Sequence, residues 1–232
     1  MSTYKGVKTL EVLEGADNYN GWIASMLSPY IKFPALEVGA GTGNLSEFFC
    51  KKGKVLLTDN DLSLVELLRK KFINNKNVEV RVLDIAKASH KIDSKFKTVY
   101  AVNVLEHIEN DDQALHNLWS LLETGGNLVV LVPAKKFAYT KLDKSLGHVR
   151  RYEKNELIEK IEKSGFRILK VEYFNIVGLL SWLIRNRITK NHRSLKKSHV
   201  KFFDSAVPFL RAIEPTKGLP VGISLIAVGI KK

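Results

Sequence analysis

Residues 33–49, "FPALEVGAGTGNLSEFF", run as an apolar strand-like stretch, break at Gly39, Gly41 and Gly43, and resume with a helical pattern. Glycine loses more conformational freedom on folding than any other residue, so three in five positions need a reason. A strand that turns sharply into a helix supplies one. The helix presents its free N–H groups and positive dipole end at the turn, and side chains there would keep a ligand off them. The turn therefore suits a carboxylated or phosphorylated ligand.

Two ligand classes satisfy that condition: a dinucleotide through its pyrophosphate, or S-adenosylmethionine through its methionine moiety. The spacing Gly39-x-Gly41-x-Gly43 departs from the dinucleotide pattern G-x-G-x-x-G, the third glycine coming one residue early. Asp59 closes the next strand-like run, twenty residues after Gly39. An acid there accepts hydrogen bonds from ribose hydroxyls in either class. Asp61, two residues on, suits the N-cap of the following helix.

Strand and helix patterns alternate along most of the chain. Strands are expected at 35–38, 54–58, 78–82, 96–102, 127–132, 166–174 and 224–230, with helices at 44–52, 61–72, 111–123 and 153–164. Gly125-Gly126 reads as a turn, and Gly165 as the C-cap of the last of these helices. Such alternation implies a doubly wound, mainly parallel sheet. The length, 232 residues with 45% hydrophobic, fits one domain over 1–232. Residues 1–32 form a helical cap, and 178–215 a basic, partly helical lid insert before the last strand.

The chain resembles the class I S-adenosylmethionine-dependent methyltransferases. "LEVGAGTGNLS" is similar to their first motif and "LLTDND" to the acidic end of their second strand. "VRVLDIAK", "VNVLEHIENDDQALHNLWSLLETGGNLVVLVPA", "GHVRRYEKNEL" and "YFNIVGLLSW" continue the likeness. Lys97 stands where members usually carry an acid after the phenylalanine opening strand four. The resemblance implies a Rossmann-like seven-stranded sheet in the order 3-2-1-4-5-7-6, strand 7 antiparallel, and S-adenosylmethionine as cofactor. It implies cofactor contacts at Tyr19, Glu37, Gly39, Ala40, Gly41, Gly43, Asn44, Asp59, Asn60, Asp84, Ile85, Asn103 and Val104. Asp84 would meet the adenine amine, and the 103–104 backbone the methionine amine. Asn103 equally suits a turn cap, and Tyr19 with Trp22 a plain core.

Methyl transfer is a direct displacement that depends chiefly on alignment. Residues beyond the carboxyl ends of the strands are the candidates for it. The loop "LDKSLGHVRRY" follows strand five, and Asp143, His148, Arg150, Arg151 and Tyr152 are its candidate acceptor contacts. His148 is the candidate general base, being the side chain whose charge changes near neutrality. Arg150 and Arg151 suit an anionic group, or a salt-bridged loop. Glu106-His107 resembles half of the E-x-x-E-H with which some RNA-terminal methyltransferases hold a cation; Asn103 replaces the first acid, so no metal is expected.

Seven Lys or Arg and no acid in 182–203 contribute to a net charge of +13. With the apolar lead-in at 179–184, they suit a small or lipid-linked, anionic acceptor and contact with a membrane surface. The absence of interleaved aromatics argues against a nucleic-acid platform. RNA methylation is the alternative reading, and a nicotinamide-dependent oxidoreductase a weaker one. The lone Cys50 excludes internal disulfides, no apolar leader is evident, and a cytoplasmic location is expected.

Overall fold

A computed structural model describes residues 15–87, 92–188, 197–214 and 220–232. The rest of the expected cap (1–14), and residues 189–196 and 215 of the expected insert, lie outside those residues. The chain opens on helix α1 (Asp17–Leu27) and strand β1 (Ala35–Val38), followed by a short helix α2 (Ser46–Phe49). Then come β2 (Val55–Asp59), α3 (Leu62–Lys71), β3 (Val78–Val82) and β4 (Phe96–Val102). Helix α4 (Asp111–Leu121), β5 (Leu122–Pro133), α5 (Lys141–Leu146), α6 (Lys154–Lys163) and β6 (Phe166–Phe174) continue it. Two insert helices, α7 (Ile176–Ile188) and α8 (Lys197–Ile213), precede β7 (Ser224–Lys231).

The seven strands form one sheet in the order β3-β2-β1-β4-β5-β7-β6. Only β7 runs antiparallel to its neighbours, β5 and β6. The order and the reversed strand are those the resemblance implies. Strands β1 and β2 are buried along their whole length, as parallel strands covered on both faces must be. Edge strand β3 instead alternates charge, Glu79 pairing with Arg81, which blunts an open edge.

One face of the sheet packs against Ala114, Leu115 and Leu118 of α4 and Leu157 and Ile161 of α6. The other packs against Trp22, Ile23 and Leu27 of α1, Phe49 of α2 and Leu68 of α3. Burying each such large side chain stabilises the fold by roughly 1.5–3 kcal/mol.

Two boundaries differ from expectation. The helix expected over 44–52 is regular only at Ser46–Phe49, because the turn before it is taken up by glycine-rich backbone. Gly125-Gly126 lies inside β5 rather than before it; Phe96 pairs with Leu122 and a register shift absorbs the extra residues. Asp61 caps α3, its carboxylate accepting the Ser63 N–H at 2.8 Å.

Candidate active site

At the carboxyl end of the parallel strands, the sheet and α1 enclose a cleft of about 640 Å³. Its floor is the glycine turn. Gly39, Gly41 and Gly43 have φ of +70°, +57° and +78°, backbone that side chains rarely tolerate. A Cβ on Gly39 would lie 2.5 Å from Val104 Cγ2, so the turn also needs bareness to pass β4. Gly43 faces away from the cleft; a Cβ there would meet Phe72 at 2.8 Å and Leu68 at 2.9 Å. Its expected cofactor contact is therefore a packing contact, which lets α3 approach the turn. The other twelve expected cofactor residues all line the cleft.

Asp59 stands across from the turn and fixes it. Its Oδ2 accepts the Gly41 N–H and its Oδ1 the Asp61 N–H, each at 3.0 Å. Burial pushes its carboxyl up, against those two bonds. Glu37, at the back, accepts hydrogen bonds from Ser46 Oγ (2.6 Å) and Tyr100 OH (2.8 Å) on one oxygen. Burial raises its carboxyl to about 7 in spite of them. Glu37 is thus a strut between β1, α2 and β4 as much as a wall of the cleft.

Asp84 and Ile85 occupy the loop after β3. Asn117 of α4 holds that loop, donating through Nδ2 to the Ile85 and Lys87 carbonyls at 2.8 Å. The sequence offered a buried Asn on a helix as the sole sign of this role. Asn103 adopts φ +54° and hydrogen-bonds through its N–H to Leu131 O, so it serves as a strand-end turn as well as a wall. Tyr19 is both core and wall: its ring stacks on Phe174 at 6.1 Å, and it lines the cleft.

Of the five expected acceptor contacts, only His148 lines the cleft. Asp143 is buried beneath it, accepting from His148 Nδ1 (3.2 Å) and Arg151 Nε (2.8 Å). Burial opposes ionisation of Asp143, but these bonds hold its carboxyl at about 2. Arg151 spends a second donor on Ala134 O. Arg150 pairs with Asp111 and donates to Glu109 O at 2.6 Å. Tyr152 is fully buried, its OH donating to Asp111 Oδ2 at 2.8 Å. Asp143, Arg150, Arg151 and Tyr152 therefore build the wall behind His148 instead of presenting groups to an acceptor.

Beside His148 lie two residues the sequence reading set aside. His107 also lines the cleft; its Nδ1 lies 3.2 Å from Gly147 O, and burial and then His148 push its imidazole down to about 4. Glu106 is fully buried, which pushes its carboxyl up to about 8.

The cleft wall carries four carboxylates, Glu37, Asp59, Asp84 and Glu109, and no Lys or Arg among the described residues. In a chain of net charge +13 this is a local reversal. It opposes a pyrophosphate and favours a ligand bearing positive charge.

A family model described as "Methyltransferase domain" matches residues 36–128. Over 103 residues the chain is 32% identical to the ubiquinone/menaquinone biosynthesis C-methyltransferase of Hydrogenovibrio crunogenus, covering 41% of this chain and 40% of that protein. The chain thus matches about two fifths of the length of that curated relative. A S-adenosylmethionine-dependent methyltransferase from Thermotoga maritima shares the fold at TM-score 0.67 and 18% identity, over 97% of this chain and 95% of that one. The magnesium protoporphyrin IX methyltransferase of Synechocystis, solved with bound SAH, does so at TM-score 0.58 and 15% identity, over 94% and 84%.

Strand order and the bare turn define a Rossmann-like domain, of which residues 36–128 match the methyltransferase model. The chain is thus similar to the class I S-adenosylmethionine-dependent methyltransferases, whose cofactor is S-adenosylmethionine. The cleft fits that cofactor. The left-handed glycine backbone leaves open the space a side chain would fill, and the acids suit a sulfonium and an ammonium. Asn20 lines the cleft, and its Nδ2 is buried with no hydrogen-bond partner among the described residues, a donor that a ligand's carboxylate would suit. No helix among the described residues is long and apolar enough to cross a membrane.

Proposed function

We propose that this chain transfers a methyl group from S-adenosylmethionine to a small or lipid-linked acceptor by direct displacement. The observation that carries this reading is the acidic cleft built on the glycine turn, with no Arg or Lys among its described lining residues. In it, Asp59 would take the ribose hydroxyls, the 84–85 loop the adenine, and Asn20 and the 103–104 backbone the methionine end. The bound cofactor supplies an electrophilic methyl on positively charged sulfur.

The acceptor enters from the far end of the cleft, between His107, Glu109, Leu146 and His148. Asp143 accepts the Nδ1–H of His148, which leaves the Nε2 lone pair for the acceptor's proton. The Asp143–Arg151 pair fixes the imidazole's orientation. A lipid-linked acceptor is favoured by the exposed Leu180, Phe202 and Phe209 on the insert helices, between which the sequence carries the basic run. An anionic group on the acceptor would suit that run.

Calorimetry with S-adenosylhomocysteine tests the cofactor site: micromolar binding is expected, and Gly41→Val abolishes it by placing a side chain at φ +57° in the floor. Failure of both S-adenosylmethionine and S-adenosylhomocysteine to bind the unaltered chain removes the reading. A methyl-labelled cofactor incubated with cell extract then identifies the acceptor.

A further inference from the structure

We propose that Glu106, His107 and His148 bind one first-row divalent cation at the acceptor end of the cleft. The proposal rests on the reading of that end as the acceptor site, and it names what activates the acceptor there. One ligand atom from each of the three residues lies within 4.8 Å of the other two.

Glu106 is 0% exposed, and neither of its carboxylate oxygens has a hydrogen-bond partner among the described residues. A buried carboxyl group that makes no hydrogen bond is rarely kept without something to bind. His148 Nε2 lies 4.0 Å from Glu106 Oε1, beyond hydrogen-bonding reach, and the Arg151 guanidinium acts on Glu106 only at a distance, without a hydrogen bond.

Both imidazoles are oriented by their other nitrogen. His148 Nδ1 faces Asp143 Oδ1, and that carboxylate is committed as an acceptor to Arg151 and Thr140 as well. His107 Nδ1 faces the Gly147 carbonyl, which can only accept. Each ring therefore carries its proton on Nδ1 and its lone pair on Nε2, the arrangement that metal-ligating histidines show. The two segments are tied together by the Val149 N–H, which donates to Glu106 O at 2.8 Å.

Two ligand atoms each about 2.1 Å from one ion are at most about 4.2 Å apart. The cluster thus needs a closure of roughly half an ångström, which a side-chain torsion of Glu106 or His107 supplies. Two imidazoles and one carboxylate suit zinc, iron, manganese or cobalt better than magnesium or calcium. The open coordination positions face the cleft, where an acceptor hydroxyl, amine or enol would sit. A cation there would carry the negative charge that the acceptor acquires on losing its proton to solvent. The acceptor's electron pair then forms the bond to the methyl carbon as the carbon–sulfur pair returns to sulfur. With its Nε2 lone pair on the ion, His148 holds the cation instead of taking the acceptor's proton itself, so the cation replaces the base role given to His148 above.

The test uses the full chain stripped with a chelator and titrated with Co²⁺, read by visible absorption and by calorimetry. One equivalent should bind with the d–d bands of nitrogen and oxygen ligation. His107→Ala and His148→Ala should each weaken binding by at least roughly 100-fold, and His116→Ala, which alters a histidine stacked on Trp119, should leave it unchanged. Glu106→Gln should do the same as the two alanines; because it alters a buried group, its melting temperature is measured alongside. S-adenosylhomocysteine affinity is recorded for every variant. No Co²⁺ uptake by a chain that binds S-adenosylhomocysteine overturns the cation site alone, as does uptake undiminished in both histidine variants. Failure to bind S-adenosylhomocysteine overturns the reading on which it rests.

Discussion

Asn20 shows what a single side chain in the cleft wall can reveal. Its Nδ2 is buried without a partner among the described residues, so it costs the free protein desolvation and returns nothing until a ligand accepts from it. Asn20→Ala should therefore leave the melting temperature of the free chain unchanged or raise it. The same change should weaken S-adenosylhomocysteine about 10- to 100-fold, the worth of a hydrogen bond to a charged group. A fall in melting temperature with affinity intact would show that Asn20 is structural. Glu37 makes the opposite case. Its carboxyl is raised by burial from 4.5 to about 7, so the folded chain holds that proton more tightly than the unfolded chain does. The stability this contributes is fully present below about 4.5 and is lost as pH rises through about 7. Glu37→Gln keeps an oxygen where Ser46 and Tyr100 both donate, and should flatten the decline of unfolding free energy between those pH values in denaturant titrations. An unaltered slope would mean the carboxylate is ionised throughout. At this scale the sequence spoke clearly for Gly39, Gly41 and Asp59, because turn backbone and strand ends are set locally. It misplaced Arg151 and Tyr152, whose bonds to Asp143 and Asp111 join positions 8 and 41 residues apart. A motif names residue types; only the fold decides which of them turn inward.

Helix α1 depends on an element nearly the whole chain away. It has no side-chain cap of its own, since Ala16 stands at its N-cap. Asp204 of α8 supplies one: its carboxylate accepts from the Tyr19 N–H at 2.8 Å and the Asn18 N–H at 3.3 Å. Asn18 Nδ2 adds a further bond to the same carboxylate at 3.1 Å. The insert thereby fixes the helix that carries Tyr19 and Asn20 over the cleft. Glu214 acts alike at the start of α7, accepting the Asn175 and Ile176 N–H groups at 2.8 and 3.1 Å. Asp204→Ala should cost about 1 kcal/mol of stability as a lost cap. It should also weaken S-adenosylhomocysteine several-fold, although residue 204 does not line the cleft. Unchanged affinity would show that α1 holds its place without the insert. The strands and α3, α4 and α6 were legible from periodicity and capping. The sheet order came from resemblance, since no local pattern tells a strand its neighbour. The two regular helices of the insert were legible only as a basic, partly helical stretch, because Asp204 and Glu214 gain their meaning from partners far along the chain.

Over the whole molecule, charge is uneven: the chain carries a net +13, while the described wall of the cleft carries four acids and no Lys or Arg. The insert sequence is rich in Lys and Arg, and its helix α8 has two faces. Val200, Asp204 and Val207 turn inward, while Phe202 and Phe209, seven residues apart and so on one face, are 79% and 68% exposed. Leu180 and Leu183 of α7 are exposed too. Large apolar side chains beside a run of lysines and arginines are the ingredients of shallow adsorption to an anionic bilayer, apolar area and charge acting together. The chain should therefore co-sediment with vesicles containing anionic lipid and not with neutral ones. Raising the salt from about 0.1 to about 1 M shortens the screening length from about 10 to about 3 Å and should release much of it. The double change Phe202→Ser, Phe209→Ser removes apolar area without touching charge or the cleft. It should reduce vesicle binding at moderate salt and leave S-adenosylhomocysteine affinity as it was. Binding that ignores both salt and the two phenylalanines would place the acceptor in solution, and with it the cleft would serve a small free molecule.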